Sequence, residues 1–240
     1  MRGPSTTPSA SPTTCCPPPR ASCEGRQVNG DRPLVAVLDY GIGNLRSAQK
    51  ALERAGADAR LTADAGLIAG AAGVVLPGVG HFGTCMHQLR ATGLEQPALD
   101  AIESGRPFLG ICVGMQMLFE ASEEAPGVPG MGVMPGIVRL LPDGIVRPQM
   151  QWNRLDVQRP DCPLLAGLTD GAWMYFVHSY APDTDDCFVA ATCDYPTPIT
   201  AVTERGRLWA TQFHPEKSGD AGKRLAQNFL AAVRADQCRR

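Results

Sequence analysis

Apolar residues in the first half of the chain form short continuous runs, and the first run leads into helical spacing. Leu34–Leu38 is apolar throughout, as expected for a strand buried on both faces of a parallel sheet. After the Gly41-Ile42-Gly43 turn, apolar residues recur at helical spacing. Asn44 is the expected N-cap of this helix, and Gly56 is the expected C-terminal stop. The pattern therefore predicts a strand, a turn and a helix.

Two more buried strands are predicted, at residues 74–76 and 108–111. The first leads into Pro77-Gly78-Val79-Gly80, and the second leads into a helical stretch over residues 113–120. This alternation is typical of an α/β fold with helices on both faces of a mostly parallel sheet.

The second half changes character, because short strand-like pieces alternate there with Gly and Pro. The pieces lie at residues 137–141, 155–157, 174–177, 188–191, 199–202 and 208–212. We expect several of them to run antiparallel and to extend the sheet, and residues 225–233 to form a closing amphipathic helix. Residues 33–240 are therefore assigned to one domain. Residues 1–32, rich in Pro, Ser and Thr, are predicted to be a disordered extension.

Composition narrows the class of protein. The chain has 240 residues, 44% of them hydrophobic and 19% charged, with a net charge of −2, which argues against a general nucleic-acid binder. No apolar run approaches the ~18 residues of a membrane span, and no secretory signal is visible, so we expect a cytoplasmic enzyme. A transit peptide is the alternative, since the first stretch is rich in Ser and Thr. The nine cysteines form no CxxC pair and have no suitably spaced histidines, so no metal is expected.

The strongest chemical signal is an apolar strand followed by Gly110-Ile111-Cys112-Val113-Gly114 and then a helix. This is the pattern of a nucleophile elbow with cysteine in the place of serine. The flanking glycines allow the close packing that such a turn requires, and a helix N-terminus favours the thiolate form of cysteine. A buried core cysteine beside packing glycines is the alternative interpretation.

A nucleophilic thiol needs a base, and His214 is the best candidate of the four histidines. It ends an apolar strand, and Glu216 lies two residues further on, so both side chains point the same way in an extended chain. The carboxylate can accept the Nδ1–H of His214 and stabilise the imidazolium. A surface histidine beside a solvated glutamate is the alternative interpretation.

Acyl transfer through a thioester also needs N–H donors for an oxyanion. The N–H of Val113 is one candidate, and the Pro77-Gly78-Val79-Gly80 loop can supply the second. Its glycines allow a peptide unit to turn its N–H inward or to flip between states. An ordinary turn between strand and helix is the alternative.

Together these segments resemble the class I (triad) glutamine amidotransferases, and more finely the glutaminase subunits of imidazole glycerol phosphate synthases. The resemblance spans residues 34–236, and the segments that carry it are 39–45, 77–80, 110–120, 152–153, 175–180 and 213–218. It implies a flavodoxin-like three-layer α/β sandwich, whose mostly parallel central sheet has an antiparallel extension.

The resemblance also implies an activity. Cys112 would attack the side-chain amide of glutamine, and His214, oriented by Glu216, would shuttle protons. Ammonia would then pass to a (β/α)8-barrel cyclase in a heterodimer that makes imidazole glycerol phosphate in histidine biosynthesis. No cofactor or metal is expected.

Further site residues are implied by the same resemblance. They are the oxyanion residues Val79, Gly80 and Val113, the substrate-binding residues Gly78, Gln116, Glu124, His178, Ser179 and Tyr180, and the partner-interface residues Asn44, Trp152, Asn153, Tyr175 and Lys217. If the Gly78–Gly80 loop must flip before it can act, the chain without its partner should have almost no glutaminase activity.

One segment departs from the family. Where the family usually has His-Met-Gly-Trp-Asn, this chain has Gln149-Met150-Gln151-Trp152-Asn153, so a long side chain stands at the place of a glycine. Partner docking is the property that this change should affect.

Three other functions stay open at this point. They are a triad glutaminase of another pathway, a cysteine hydrolase acting on peptides or γ-glutamyl chains, and a non-catalytic regulatory module that keeps the fold. The complete set of Cys112, His214 and Glu216 argues against the last.

Overall fold

The structure is a computed structural model that describes residues 32–168 and 171–239. The expected extension over residues 1–32 lies outside the described residues, apart from Arg32. Arg32 donates a hydrogen bond to the Glu53 carbonyl at 2.9 Å. The described residues enclose a continuous cluster of buried apolar side chains. None of their helices is long and apolar enough to cross a bilayer.

An eight-stranded mixed sheet forms the centre of the fold. Its strands are β1 (Leu34–Leu38), β2 (Asp58–Thr62), β3 (Gly73–Gly78), β4 (Phe108–Cys112), β8 (Asp156–Val157), β11 (Val189–Asp194), β12 (Pro198–Arg205) and β13 (Leu208–Thr211). Their spatial order is β2-β1-β3-β4-β13-β12-β11-β8. The first five strands are parallel, in the flavodoxin-like order, and the last three are antiparallel to their neighbours. The predicted parallel sheet with an antiparallel extension is confirmed.

Helices cover both faces of this sheet. They are α1 (Leu45–Ala55), α2 (Ala65–Gly70), α3 (Phe82–Ala91), α4 (Glu95–Glu103), α5 (Val113–Gln116) and α6 (Gly219–Gln237). From β1 the chain moves to β2 on one side, and it then crosses back over β1 to reach β3 on the other side. Because crossovers between parallel strands are right-handed, this reversal places α1 on one face and α2 to α4 on the other. Accordingly, α1 packs against α6 and α2 against α4.

Two predicted strands of the second half lie outside the main sheet. β6 (Ile137–Leu140) forms a three-stranded sheet with β5 (Ala121–Ser122) and β10 (Tyr180–Asp183). β9 (Trp173–His178) pairs antiparallel with β7 (Gln149–Arg154) in a two-stranded ribbon, here called the ribbon. The short apolar pieces between Gly and Pro predicted strands but could not identify their partners.

The helix after Cys112 is shorter than the predicted 113–120, because α5 ends at Gln116. The carbonyls of residues 117–119 accept hydrogen bonds from the N–H groups of residues 131–134, instead of those of a continuing helix. The chain therefore turns away toward β5 after one helical turn.

The ends of α1 match the prediction only in part. Gly56 caps the helix in the left-handed conformation, with φ at 108°, as expected. Asn44 occupies the predicted N-cap position, where its carbonyl accepts the first helical hydrogen bonds, but its side chain makes no capping bond. The side chain borders a pocket instead.

Candidate active site

The elbow at Cys112 has the predicted strained geometry. Cys112 ends β4 with φ at 55° and is the one non-glycine residue of the described chain with φ in the left-handed region. Such a conformation costs about 1–3 kcal/mol and persists where the surrounding structure enforces it. A Cβ on Gly110 would lie 2.9 Å from the Gly114 carbonyl oxygen, and one on Gly114 would overlap the Leu76 carbonyl oxygen. The predicted need for both glycines is confirmed.

His214 and Glu216 form a buried pair where β13 ends. The Nδ1–H of His214 donates to Glu216 Oε1 at 2.8 Å, and both side chains are less than 5% exposed. This hydrogen bond leaves Nε2 available for proton transfer. The predicted orientation of the imidazole by the carboxylate is present in the structure.

The electrostatics of His214 favour its protonated form. Burial alone would lower the pKa of His214, but hydrogen bonding and charge interactions with Cys112 and Glu216 raise this pKa to about 10. An imidazolium at this position is an acid that can donate a proton to a leaving group.

Backbone hydrogen bonds fix His214 against the ribbon. The N–H of His214 donates to the Tyr175 carbonyl at 3.0 Å. The hydroxyl of Ser218 donates to the His214 carbonyl at 2.6 Å and accepts the N–H of Tyr175 at 3.1 Å. Sequence reasoning missed this role of Ser218, although the residue lies in the segment that carries His214.

Cys112 and His214 line a pocket of about 380 Å³, here called the central pocket. Most of the predicted site residues border it. They are Asn44, Val79, Gly80, Cys112, Val113, Gln116, Glu124, His178, Ser179, Tyr180, His214 and Lys217, and Val177 joins them.

The loop predicted to supply an oxyanion donor lies beside the elbow. Gly78 pairs with Cys112 in the β3–β4 register, and Val79 and Gly80 continue into the central pocket. A Cβ on Gly78 would meet the Gly114 nitrogen at 2.5 Å, so this glycine allows the loop to approach α5. The N–H of Val113 belongs to the first turn of α5, where N–H groups have no partner within the helix.

Gly78 and Glu216 lie behind this pocket. Together with Asn44 and His214 they border a cavity of about 10 Å³, which is close to the space one water molecule needs. The second carboxylate oxygen of Glu216, Oε2, is buried without a partner among the described residues. A water here would satisfy it.

The predicted substrate-binding residues hold one another in place. The amide of Gln116 donates to the Tyr180 carbonyl at 2.9 Å and to Gln212 Oε1 at 3.1 Å. The amide of Gln212 lies 3.8 Å from the Cys112 sulfur, a contact that sequence reasoning missed. A polar residue at the end of the apolar run of β13 was the available signal.

Glu124 is fixed by the helix that follows the oxyanion loop. Its Oε2 accepts the N–H of Phe82, the first residue of α3, at 2.7 Å. His81 begins the same helix, because its Nδ1 accepts the N–H of Thr84. His81 is therefore the N-cap of α3.

His178 is buried at the end of β9 and borders the central pocket. Its Nδ1–H donates to the Tyr180 carbonyl at 2.9 Å, and its Nε2 is buried without a partner among the described residues. Burial is the main cause that lowers the pKa of His178 to about 4. The two pocket histidines therefore have opposite charge preferences.

Most of the predicted interface residues cluster at the mouth of the central pocket. The rings of Trp152 and Tyr175 pack edge to face at 6.0 Å, and Lys217 Nζ lies 5.7 Å from the Tyr175 ring centre. Trp152 is 48% exposed. These three residues are here called the ribbon face. Asn153 points away from this face, since its amide donates to the Asp194 carbonyl at 2.9 Å.

The fold and the site together match one class of enzyme, in which a flavodoxin-like sheet places a cysteine elbow beside a buried His–Glu pair. No group of three metal-ligating side chains lies together among residues 32–168 and 171–239. The sequence matches the family model of class-I glutamine amidotransferases over residues 36–233.

Relatives of known name support a finer assignment. The chain is 49% identical to the imidazole glycerol phosphate synthase subunit HisH of Synechococcus elongatus over 209 residues, which are 85% of this chain and 96% of that protein. It is 50% identical to HisH of Deinococcus radiodurans over 82% of this chain and 93% of that one. The chain therefore belongs to the class-I glutamine amidotransferase family and, within it, to the HisH group.

Solved structures support the fold. A structure described as a glutamine amidotransferase has a TM-score of 0.67 at 23% identity, covering 83% of this chain and 98% of that one. The structure of PurLQS from Thermotoga maritima has a TM-score of 0.66 at 21% identity, covering 84% of this chain and 99% of the matched one. These neighbours place the sheet and helices in the class I fold.

Proposed function

We propose that this chain hydrolyses glutamine to glutamate and ammonia and delivers the ammonia to a (β/α)8-barrel cyclase subunit. That subunit would use it to make imidazole glycerol phosphate in histidine biosynthesis. The observation that carries the proposal is the convergence of Cys112 with the buried His214–Glu216 pair on one pocket. The HisH relatives favour this pathway over the other glutaminase pathways that the sequence left open.

The first half of the proposed reaction forms a thioester. The Cys112 thiolate attacks the side-chain carbonyl carbon of glutamine, a C–S bond forms, and the carbonyl electron pair moves onto oxygen. The N–H of Val113 and an N–H of the Val79–Gly80 segment would stabilise this oxyanion. The C–N bond then breaks, and the leaving nitrogen takes a proton from His214 and departs as ammonia.

The second half releases glutamate. His214, now neutral, removes a proton from a water molecule, which attacks the thioester carbonyl. The C–S bond breaks, glutamate leaves, and the Cys112–His214 pair returns to its starting protonation. Glu216 keeps the imidazole in one tautomer through both halves and favours the imidazolium each time it forms. Gln116, Glu124, His178, Ser179 and Tyr180 would hold the two backbone ends of glutamine.

The ribbon face, with Asn44 beside it and Asn153 anchoring the ribbon, is the proposed docking surface for the cyclase. It combines a half-exposed tryptophan, a tyrosine and a lysine, and the first two are residue types enriched at the centre of protein interfaces. Lys217 borders both this face and the central pocket, so a partner bound here would close over the site where ammonia is released.

The test is glutamate release from glutamine by the purified chain, alone and with the cyclase subunit and its nucleotide ligand. We expect strong stimulation by the liganded partner and loss of activity in Cys112→Ala, with the circular-dichroism spectrum unchanged. Activity retained by Cys112→Ala would overturn the proposed nucleophile. Brisk activity that the partner does not change would point to an independent hydrolase.

A further inference from the structure

A buried glutamine lies directly beside the sulfur of Cys112. β13 pairs in parallel with β4 as far as Thr211 and Ile111. The next residues along the two strands, Gln212 and Cys112, therefore stand side by side, and the Gln212 amide nitrogen lies 3.8 Å from the Cys112 sulfur. Gln212 is fully buried and is not one of the residues that line the central pocket. Its amide therefore approaches the sulfur from inside the fold.

Two hydrogen bonds fix which end of the Gln212 side chain faces the sulfur. The Tyr180 carbonyl can only accept, so the atom of Gln116 that contacts it at 2.9 Å is the amide nitrogen. The same nitrogen donates to Gln212 Oε1 at 3.1 Å. With its oxygen facing Gln116, Gln212 presents its NH2 group to the Cys112 sulfur. A backbone acceptor thus determines the direction of the whole series of hydrogen bonds.

We propose that Gln212 is a further catalytic residue, whose amide donates a hydrogen bond to the Cys112 thiolate and stabilises it. The inference rests on the proposed function, in which this thiolate attacks glutamine. Cys112 is 4% exposed, so a charge on its sulfur has little access to water and depends on donors within the protein. The amide is a donor at every pH. His214, whose Nδ1–H is bound to Glu216, can donate to the sulfur only while it is protonated.

The same hydrogen bond acts at two points of the proposed reaction. In the free enzyme it favours the thiolate over the thiol. In the thioester the sulfur is neutral and accepts only weakly. When the C–S bond of the thioester breaks, the electron pair returns to the sulfur, and the amide donates to the charge that develops there.

Other titratable groups near the sulfur do not replace this donor. Tyr40 and Cys85 interact electrostatically with Cys112, but burial is the main cause that raises both of their pKa values, that of Cys85 to about 11. Both therefore stay neutral near pH 7. The Tyr40 hydroxyl donates to the Pro77 carbonyl at 2.7 Å, and the Cys85 thiol donates to the Val79 carbonyl at 3.3 Å. Their protons are thus directed to backbone carbonyls and not to the Cys112 sulfur.

The test measures thiolate formation in the full chain without its partner, so it does not require glutaminase activity. A thiolate absorbs ultraviolet light that a thiol does not, and subtracting the spectrum of the same chain carrying Cys112→Ala isolates this sulfur. Gln212→Met and Gln212→Leu both remove the amide and differ in shape. Gln149→Met is the matched control, because Gln149 is also fully buried and its amide lies 3.8 Å from the Cys193 sulfur.

We expect the Cys112 thiolate to form at a pH about 0.5–1 unit higher in Gln212→Met and Gln212→Leu than in the wild type, because one hydrogen bond to a charged sulfur is lost. Gln149→Met should leave the midpoint of this titration unchanged. An unchanged midpoint in the Gln212 variants would overturn the proposal, and so would an equal shift in Gln149→Met.

Nuclear magnetic resonance gives a second measurement that keeps Gln212 in place, so it remains decisive if the substituted chains do not fold. The side-chain amide protons of Gln212 should change their chemical shift as the Cys112 thiolate forms. This change should be absent in Cys112→Ala. Amide resonances that behave alike in both chains would mean that Gln212 does not donate to the thiolate.

Turnover with the cyclase subunit and its nucleotide ligand connects the hydrogen bond to catalysis. Below the wild-type midpoint, kcat/KM should be about three- to tenfold lower in the Gln212 variants, and the loss should shrink at higher pH, where the thiolate forms without the amide. A loss that is equal at every pH would contradict the role in thiolate formation. If the wild-type complex releases no glutamate, the proposed function fails, whereas the two thiolate measurements still decide the role of Gln212.

Discussion

Two regions meet at the central pocket: the elbow formed by β4 and α5, and the ribbon formed by β7 and β9. Every residue from 106 to 119 in the elbow region is buried, and its glycines lie against neighbouring backbone. The ribbon instead exposes Met150, Trp152 and Trp173, which are 65%, 48% and 54% exposed. The elbow has no surface left to cover, while the ribbon retains apolar surface of the kind that a partner buries.

The two regions also differ in what a substitution should disturb. In the elbow, backbone atoms contact backbone atoms, so even one added methyl group has no place to go. In the ribbon, side chains extend into solvent, and their removal leaves the fold supported by the strand pairing beneath. Substitutions in the elbow should therefore reduce catalysis, whereas substitutions in the ribbon should weaken binding of the partner.

The largest expected effect is the loss of the buried carboxylate beside the elbow. Glu216→Gln keeps the shape of the side chain but removes the charge that fixes the tautomer of His214 and stabilises its protonated form. We expect kcat of the partner-stimulated glutaminase to fall by about 10²- to 10⁴-fold, as when the acid of a triad is replaced by its amide. Steady-state glutamate release measures this.

Glu123→Gln is the matched control for that substitution. Glu123 is an exposed glutamate paired with Arg139, and its replacement should change kcat by less than twofold. A Glu216→Gln enzyme within tenfold of the wild type would mean that the carboxylate does not orient His214.

The next largest effect concerns the elbow backbone. Gly114→Ala would place a Cβ on the Leu76 carbonyl oxygen, with the Leu76 carbonyl carbon 2.9 Å away, so β3 or α5 must shift. We expect the free energy of unfolding to fall by about 3 kcal/mol or more. Urea unfolding followed by circular dichroism measures it.

Gly70→Ala is the corresponding control, because a Cβ on Gly70 meets nothing within 4 Å. Its unfolding free energy should lie within about 1 kcal/mol of the wild type. Equal losses in the two variants would mean that the elbow is no more tightly packed than an ordinary helix end.

The same contrast explains how much the sequence could predict. In the elbow, the chemistry and the backbone constraint fall in one short segment, so Gly110, Cys112 and Gly114 could be interpreted together. The His214–Glu216 pair was predictable for the same reason, since both residues lie on one short stretch of chain.

Roles that depend on distant partners were not predictable. Ser218 joins His214 to Tyr175, and Gln212 contacts Cys112 on the neighbouring strand. The polar character of Gln212 at the end of β13 was a local signal, but it did not identify the partner. The early end of α5 is another example. It follows from hydrogen bonds with residues 131–134, which lie more than a dozen positions away.

On the ribbon, adjacent residues should separate binding from stability. Trp152→Ala removes an exposed aromatic side chain from the ribbon face, and we expect the dissociation constant for the cyclase to rise about 10- to 100-fold. Asn153→Ala removes the hydrogen bond to the Asp194 carbonyl, and we expect it to lower the free energy of unfolding by about 1 kcal/mol.

Calorimetric titration with the cyclase and urea unfolding measure these two quantities. A tenfold or larger loss of affinity in Asn153→Ala, without loss of stability, would place Asn153 in direct contact with the partner. A Trp152→Ala chain that binds normally would move the interface away from the ribbon face.

The smallest expected effect is the pH dependence of the free energy of unfolding, to which the two pocket histidines contribute with opposite signs. The pKa of His214 is raised to about 10 and that of His178 is lowered to about 4, from an ordinary value of 6.5. Between pH 6.5 and 8 the folded chain keeps a proton on His214 that the unfolded chain loses. The free energy of unfolding should therefore fall as pH rises, by at most about 1.4 kcal/mol per unit.

Below pH 6.5 the pH dependence of the free energy of unfolding has the opposite sign, and it arises from His178. Between pH 6.5 and 5 the unfolded chain gains a proton on His178 that the folded chain excludes, so the free energy of unfolding should fall as pH falls. Urea unfolding across pH 5–8 should give a maximum near pH 6.5. Glu216→Gln should reduce the slope on the alkaline side, where Cys112 still raises the pKa of His214, and His178→Gln should flatten the acid side. If either substitution changed both sides equally, or neither side, the two slopes would not arise from these two histidines.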